Sequence, residues 1–169
     1  MGRGSKFRCR AGVSLHVPST QRSGIPLRIL RCANVYGEGQ RTSGQGAVAA
    51  FIESLTLGRT VQLYGNGEVV RDFVHIDDVA AATLQLKPKA DTGSEHIVNV
   101  GSVVGTDLAQ LLRLIEQTLR RKATVTHQPA RPFDVRRNVL DVSRLLRLTS
   151  ISPMSLETGL KRTTHTVGC

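Results

Sequence analysis

One stretch of the sequence decides the fold; it reads PLRILRCANVYGEGQ over residues 26–40, GQGAVAAFIESLTLGR over 44–59 and TVQLYGNGEVVRDFVHIDDVAAA over 60–82. The apolar run at 26–32 is typical of a buried strand. It leads into a loop at 34–40 whose glycines allow turns that other residues resist. A second tight turn follows at 63–67, and alternating polar and apolar residues from 71 onward run into an acidic helix start. Strands that alternate with helices in this way predict an α/β fold with some parallel strands.

Apolar periodicity predicts the remaining elements. Side chains at i, i+3, i+4 and i+7 predict an amphipathic helix over 45–57, with Val48, Phe51, Ile52 and Leu55 on its buried face. Further along the chain the same reasoning predicts a helix over 77–86, a strand over 96–100, a long helix capped by Thr106, a strand over 123–127, a helix capped by Asp141 and a last helix over 155–163. Leucine and isoleucine form the apolar stripe of the long helix, at positions 108, 111, 112, 115 and 119.

Composition bounds the function. The chain has 169 residues, a formal net charge of +10 and only 4% aromatic residues, so it suits polyanions or phosphate-bearing small molecules as partners. Its three cysteines have no C-x-x-C spacing, which predicts neither a disulfide framework nor a zinc site and fits a reducing cytosol. We expect Cys32 to fill space in a buried strand. No run approaches the roughly 18 apolar residues that span a bilayer, so we expect a cytoplasmic protein that does not contact a membrane.

Residues 1–25 carry five basic residues and no acidic one, with helix-poor Gly, Ser and Pro. They predict a poorly structured basic segment ahead of a single domain over 26–169.

Three motifs carry a family resemblance: R-x-x-N-V-Y-G-x-G-Q at 31–40, L-Y-G-N-G at 63–67 and R-D-F-V-H-I-D-D at 71–78. With these the chain resembles the NAD-dependent epimerase/dehydratase family of extended short-chain dehydrogenases/reductases, and most of all its UDP-glucose 4-epimerase group. The resemblance covers about residues 26–163 and only the second half of the family's fold. It implies the last parallel strands and the small α/β substrate-binding domain, with the N-terminal Rossmann half missing. Complete relatives use NAD to oxidise the sugar C4 hydroxyl, let the 4-keto sugar rotate and return the hydride to its other face.

The family's cofactor and catalytic motifs are not found in this sequence. NAD binding uses a G-x-x-G-x-x-G turn at a helix N-terminus, and the paired glycines here lack the third glycine. In the family's Y-x-x-x-K pair the tyrosine is the acid/base; if Lys6 marks that motif, Gly2 occupies the tyrosine position. We therefore predict no catalytic residue and no NAD-binding residue in this chain, with NAD belonging to complete relatives, and no turnover by the chain alone.

Two residues are candidates for the diphosphate of a UDP-sugar. Arg71 has a planar fork of donors that suits a diphosphate, and the resemblance makes it the main clamp on that group. A surface pair with Asp72 or Asp77 is the alternative. Asn34 stands where a short amide can donate to a phosphate or sugar oxygen, and an Asx turn that closes the loop is an equally good interpretation.

The resemblance implies four more substrate contacts. Arg131 and Asp134 match an R-x-x-D pattern in which the arginine contacts phosphate and the acid accepts from a ribose hydroxyl; a purely structural loop is the alternative. Gln62 and Tyr64 would lie against uracil, although an ordinary turn aromatic describes Tyr64 nearly as well. His75, between two apolar residues, is expected to be a packed strand residue, and the five scattered histidines predict no metal site.

Other functions stay open at this stage. A fragment of a dTDP-sugar dehydratase, a UDP-sugar decarboxylase or a reductase would share this half of the fold. A basic nucleic-acid-binding module is supported by the arginines and lysine at positions 120, 121, 122, 131, 136, 137, 144 and 147. The scarcity of aromatic residues speaks against it, so we do not expect nucleic acid as a partner. The expected partners are a UDP-sugar and a missing Rossmann half or a second copy, and a non-catalytic dimerising remnant is a further alternative.

Overall fold

A computed structural model of the chain describes residues 27–40, 46–87 and 97–167, and the segment 1–25 lies outside them. The described residues form a mixed α/β structure with these elements in chain order: β1 (Ile29–Cys32), β2 (Asn34–Tyr36), α1 (Ala47–Thr56), β3 (Val61–Tyr64), β4 (Val70–His75), α2 (Ile76–Gln85), β5 (Ile97–Val100), β6 (Gly105–Asp107), α3 (Leu108–Leu119), β7 (Val125–Gln128), β8 (Arg137–Asn138), α4 (Ser143–Leu148) and α5 (Leu156–Val167).

Strand β4 is the centre of the largest sheet. Its second half pairs in parallel with β2, from Asn34 opposite Phe73 to Tyr36 opposite His75. Its first half pairs antiparallel with β6 and in parallel with β8. Two further parallel pairs, β1 with β5 and β3 with β7, complete the sheets. The predicted α/β architecture with parallel strands is confirmed.

The first core cluster joins α1, α3 and α5 to β3 and to the large sheet. The four residues predicted on the buried face of α1 are all in it. Three residues of the predicted α3 stripe, Leu111, Leu112 and Ile115, are buried in the same cluster, and Leu108 and Leu119 pack against it. Periodicity therefore identified the apolar faces of both helices correctly.

The second core cluster surrounds β5 and includes Val98, Val100, Ala82 of α2 and Leu145 of α4. The prediction that residues 26–32 form a buried strand was wrong at its end, because Arg31 and Cys32 are exposed. Strand β1 belongs to a two-stranded pair, and Leu30 is its side chain that packs against this cluster. Desolvation raises the pKa of the Cys32 thiol, so the group stays protonated near neutral pH despite its exposure.

Two predicted helix caps differ from the structure. The N-cap of α3 is Asp107, whose carboxylate accepts from the Gln110 N–H at 2.6 Å. Thr106 is instead buried in β6, opposite Arg71, because the sheet extends to the start of the helix. The Asp141 carboxylate accepts from the Ser143 N–H at 2.9 Å, but the cap position of α4 is Val142.

Across the described ranges, all of the helices are too short or too polar to cross a membrane.

Candidate functional site

A cleft opens where β3 and β7 end side by side. The two strands are parallel, with Tyr64 opposite Gln128, so their carboxyl ends lie at the same edge. The Gly65 N–H donates to the Gln128 carbonyl at 2.8 Å and turns the chain away from β3. The cleft has a volume of about 340 Å³ and is lined by Tyr64, Gly65, Asn66, Glu68, Val69, Ala130, Arg131, Pro132, Asp134 and Arg136. Ligands of α/β proteins bind outside the carboxyl ends of parallel strands, which makes this cleft the candidate site.

A stacked pair forms one wall of the cleft. The guanidinium carbon of Arg131 lies 3.5 Å from the centroid of the Tyr64 ring, a cation–π contact. A turn in which the Asp134 N–H donates to the Arg131 carbonyl at 3.1 Å brings the Asp134 side chain to the same cleft. The structure thus brings together three of the six predicted site residues.

Arg71 lies beside this wall without lining the cleft. Its Nη1 donates to the Val135 carbonyl at 2.7 Å and to the Val70 carbonyl at 2.9 Å, and a guanidinium carries further N–H donors on Nε and Nη2. Its alternative ion-pair partners are engaged elsewhere, since Asp72 accepts from Ser102 and Asp77 pairs with Arg162. The guanidinium is therefore held by backbone carbonyls next to the segment that supplies Arg136.

The structure places Asn34 and Gln62 outside the cleft lining. Asn34 lies in β2, and its Nδ2 donates to the Asp72 carbonyl at 2.8 Å, which ties β2 to β4 immediately next to Arg71. Gln62 is exposed on β3, two residues before Tyr64, so the two side chains lie on the same face of the strand. Their roles toward a ligand stay predictions.

Three polar lining residues, Asn66, Glu68 and Arg136, are not among the site residues that the sequence predicts. In the sequence Arg136 is only one member of a basic cluster. Its position two residues after Asp134 is the one signal that could have identified it. Asn66 and Glu68 follow the L-Y-G turn, and their side chains contact each other at 3.5 Å. Because their placement depends on how that turn faces residues 130–136, periodicity carries no information about it.

A second polar group, the His75 cluster, consists of Tyr36, Glu38, His75, Asp77 and Arg162. His75 is fully buried, as predicted for a packed strand residue. Its Nδ1 accepts from the Asp77 N–H at 3.3 Å and caps α2, while its Nε2 lies 3.4 Å from a Glu38 carboxylate oxygen.

The His75 cluster contains a spacing that resembles a metal-ligand set. Ligand atoms of Glu38, His75 and Asp77 lie within 4.8 Å of one another. The Arg162 guanidinium, however, lies 2.7 Å from Asp77 and 3.9 Å from Glu38, so the group already contains a cationic side chain beside its carboxylates. The arrangement fits a structural ion-pair cluster better than a cation site.

Tyr36 is not an acid/base candidate. Burial, followed by the nearby charges of Asp78 and Glu38, raises the pKa of its phenol well above the ordinary value, so the group stays neutral at physiological pH. Its ring packs edge-to-face against His75, with centroids 5.3 Å apart and planes at 83°.

Three of the described glycines, Gly37, Gly65 and Gly67, are closely packed. A Cβ on Gly37 would meet the side chain of Ile76, one on Gly67 would lie 3.0 Å from the Ala109 backbone nitrogen, and one on Gly65 would contact Ala130. These glycines serve close packing and positive φ angles instead of open backbone facing a pyrophosphate. That this chain alone does not bind NAD stays a prediction.

Comparison with known proteins identifies a family match. Residues 10–101, more than half of the chain, match the NAD dependent epimerase/dehydratase family. The chain is 31% identical over 140 residues to a putative UDP-glucose 4-epimerase of Methanocaldococcus jannaschii, covering 82% of this chain and 45% of that protein. It is 27% identical over 142 residues to a dTDP-4-dehydro-6-deoxy-D-allose reductase of Streptomyces bikiniensis, covering 83% of this chain and 43% of that protein.

A solved structure gives the same result. The UDP-glucose 4-epimerase of Thermotoga maritima, determined with UDP-glucose, superimposes with a TM-score of 0.84 and 34% identity over 94% of this chain and 51% of that one. This likeness confirms the predicted fold class. The chain spans about half the length of the relatives that it matches. The predicted domain boundary at residue 26 stays a prediction.

Proposed function

This chain belongs to the NAD dependent epimerase/dehydratase family, and from that premise we propose that it is the UDP-sugar-binding half of a UDP-glucose 4-epimerase-like enzyme. In the complete enzyme a UDP-sugar is interconverted at C4 through a 4-keto intermediate. NAD supplies the oxidation and reduction there and is bound by a Rossmann half outside this chain. By itself this chain carries out no turnover.

The observation that carries the proposal is the cleft at the ends of β3 and β7. Arg131 and Arg136 line it, and Arg71 is held next to it by the Val135 carbonyl. Two guanidinium groups that line the cleft and a third beside it suit a ligand with two linked phosphates, because each phosphate accepts charge-assisted hydrogen bonds in the bidentate geometry of arginine.

The remaining residues have roles that match the other parts of a UDP-sugar. The Asp134 carboxylate is an acceptor-only group, suited to a ribose hydroxyl. Tyr64 and Gln62 share a face of β3 at which a planar base would lie, and the Arg131–Tyr64 pair offers it a stacking surface. Asn34 would contact the diphosphate or the sugar after exchanging its bond to the Asp72 carbonyl.

A dTDP-sugar is the second candidate ligand, since the Streptomyces relative is named for a dTDP-sugar reaction. Uracil and thymine differ by one methyl group, which a partly open cleft discriminates by little. The complete protein would work in the cytoplasm, with the Rossmann half or a second copy as its partner.

Thermal unfolding with added nucleotide tests the proposal. A ligand that binds only the folded state stabilises it by about 2.7 kcal/mol at a hundredfold excess over its dissociation constant. We expect UDP-glucose to raise the Tm of the chain, NAD to leave it unchanged, and dTDP-glucose to show how selective the cleft is. Arg71→Ala should abolish the shift. Arg113→Ala is the matched control, because Arg113 is an exposed arginine on α3. A cooperative transition that does not respond to UDP-glucose or dTDP-glucose would refute the proposal.

A further inference from the structure

Asp72 is a fully buried carboxylate that the proposed binding chemistry does not use. Its relative exposure is 0%. Oδ1 accepts from the Ser102 N–H at 2.8 Å and from the Ser102 hydroxyl at 2.7 Å, and Oδ2 accepts from the Leu140 N–H at 3.3 Å. In the described part of the chain its partners are therefore neutral donors. A buried carboxylate is costly unless such bonds compensate its lost hydration.

The chain is built closely around this carboxylate. A Cβ on Gly101 would overlap Oδ2, so the loop after β5 approaches Asp72 only because residue 101 is glycine. The Asp72 backbone is equally engaged: its carbonyl accepts from Asn34 Nδ2, and its strand position pairs with Gly105 of β6.

Asp72 thereby connects the two segments that flank Arg71. The first segment runs from Val135 to Leu140. Its Val135 carbonyl accepts from Arg71, and its Arg136 side chain lines the cleft. It also contains strand β8, which pairs with Val70 and Arg71. On the other side, Ser102 holds the loop that leads into β6. Consecutive side chains of a strand point to opposite faces, so the Asp72 carboxylate acts on Arg71 through these segments rather than by direct pairing.

We infer that Asp72 is a positioning residue of the cleft. Its carboxylate holds residues 135–140 and 101–102 against β4, and it thereby fixes the positions from which the Arg71 guanidinium and the Asn34 amide contact the diphosphate. The inference rests on the proposed function. The position requires acceptors on both oxygens: an asparagine there would point its NH₂ group at the N–H of either Ser102 or Leu140, two donors facing each other. Asp72→Asn therefore preserves the shape of the side chain and loosens one of the two segments.

The test compares the affinities of UDP and uridine for the parent chain and for Asp72→Asn, measured by calorimetry. If Asp72 sets the phosphate contacts, the substitution weakens UDP by about tenfold or more, the scale of one charge-assisted hydrogen bond. Uridine, which has no phosphate, should keep its affinity. Asp77→Asn is the matched control, since Asp77 lies at the other end of the R-D-F-V-H-I-D-D motif and pairs with Arg162; it should change neither affinity.

Each result decides between the possibilities. Equal weakening of UDP and uridine would indicate a merely structural role and overturn the inference, as would an unchanged UDP affinity. If Asp72→Asn does not fold, Ser102→Ala replaces it, because that variant removes the hydroxyl donor and keeps the backbone N–H. A selective loss of UDP affinity is again expected. An unchanged UDP affinity would overturn the inference. A parent chain that binds neither UDP nor uridine would instead refute the proposed function, and the inference with it.

Discussion

The two ends of β4 place polar side chains in different surroundings. At its start, Arg71 is held by backbone carbonyls beside an open cleft that Arg131 and Arg136 line. At its end, His75 is buried in a cluster in which Arg162 lies close to both carboxylates. Both ends belong to one eight-residue motif, and both are polar.

The difference teaches how to distinguish a binding group from a structural one. In the His75 cluster both carboxylates lie close to Arg162, at 2.7 Å for Asp77 and 3.9 Å for Glu38. These contacts stabilise the junction of β2, β4, α2 and α5. Around the cleft the arginines share the lining with two acids, Glu68 and Asp134, but no ion pair joins these acids to the arginines among the described residues. The arginines therefore remain able to pair with a bound anion. Changes in the His75 cluster should therefore alter folding stability, and changes in the cleft should alter ligand affinity.

The largest effect on stability is expected from Gly159→Ala in α5. Gly159 is buried, and a Cβ there would overlap the Tyr36 hydroxyl and lie 3.1 Å from His75 Cδ2. Overpacking of this kind costs about 1–3 kcal/mol, which outweighs most or all of the roughly 1 kcal/mol that alanine gains over glycine in a helix. Urea unfolding followed by circular dichroism should show a lower midpoint. Lys161→Ala, at an exposed position of the same helix, is the control and should change little. A Gly159→Ala chain as stable as its parent would mean that α5 does not pack on Tyr36 as described.

A matched pair of ring substitutions should give a smaller loss of stability in the His75 cluster and almost none at the cleft. His75→Phe keeps a buried ring but removes the Nδ1 acceptor that caps α2, and a lost cap costs about 0.5–2 kcal/mol. Tyr64→Phe keeps the ring beneath Arg131 and should change the free energy of unfolding by less than about 0.5 kcal/mol. The measurement is urea unfolding of both variants under one condition. Equal losses of stability would erase the contrast between the cluster and the cleft.

The smallest effect on stability is expected at Asp141, an exposed carboxylate outside the cleft and the His75 cluster. Hydrogen bonds from the Ser143 backbone and hydroxyl, with weaker help from Arg147 and Arg144, lower the pKa of Asp141. Because the pKa of this carboxyl is lower in the folded chain than in the unfolded one, the ionised form stabilises the fold at any pH above the unfolded-state pKa of about 4. This stabilisation is lost as the pH falls through the folded-state pKa. Asp141→Asn should therefore be slightly less stable at pH 7, and the difference should shrink as the pH is lowered below 4. Urea midpoints measured from pH 7 to pH 3 test this, and a difference independent of pH would contradict it.

Local pattern was a good guide wherever one face of an element is buried. The apolar positions of α1 and α3 repeat with the helical period, and the structure buries those residues because the core covers one side of each helix. The local sequence pattern failed where a segment distant in the chain determines burial or strand pairing. Cys32 belongs to an apolar run yet is exposed, because the coverage of β1 depends on which elements pack on it. Thr106 has the chemistry of a cap but lies inside β6, because Arg71, 35 positions earlier in the chain, extends the sheet to it.

By itself the sequence determined the α/β class, the apolar helix faces, the tight turn at Gly65 and Gly67, and the motifs by which the family was identified. These depend on neighbouring residues, on periodicity and on backbone freedom. Only the tertiary structure decided that Arg131 stacks on Tyr64, that Arg136 joins them in the cleft, and that Asp72 fastens two distant segments beside Arg71. These residues come from parts of the chain 30 to 72 positions apart, and their geometry follows from how the strands pair and not from any local preference of the chain.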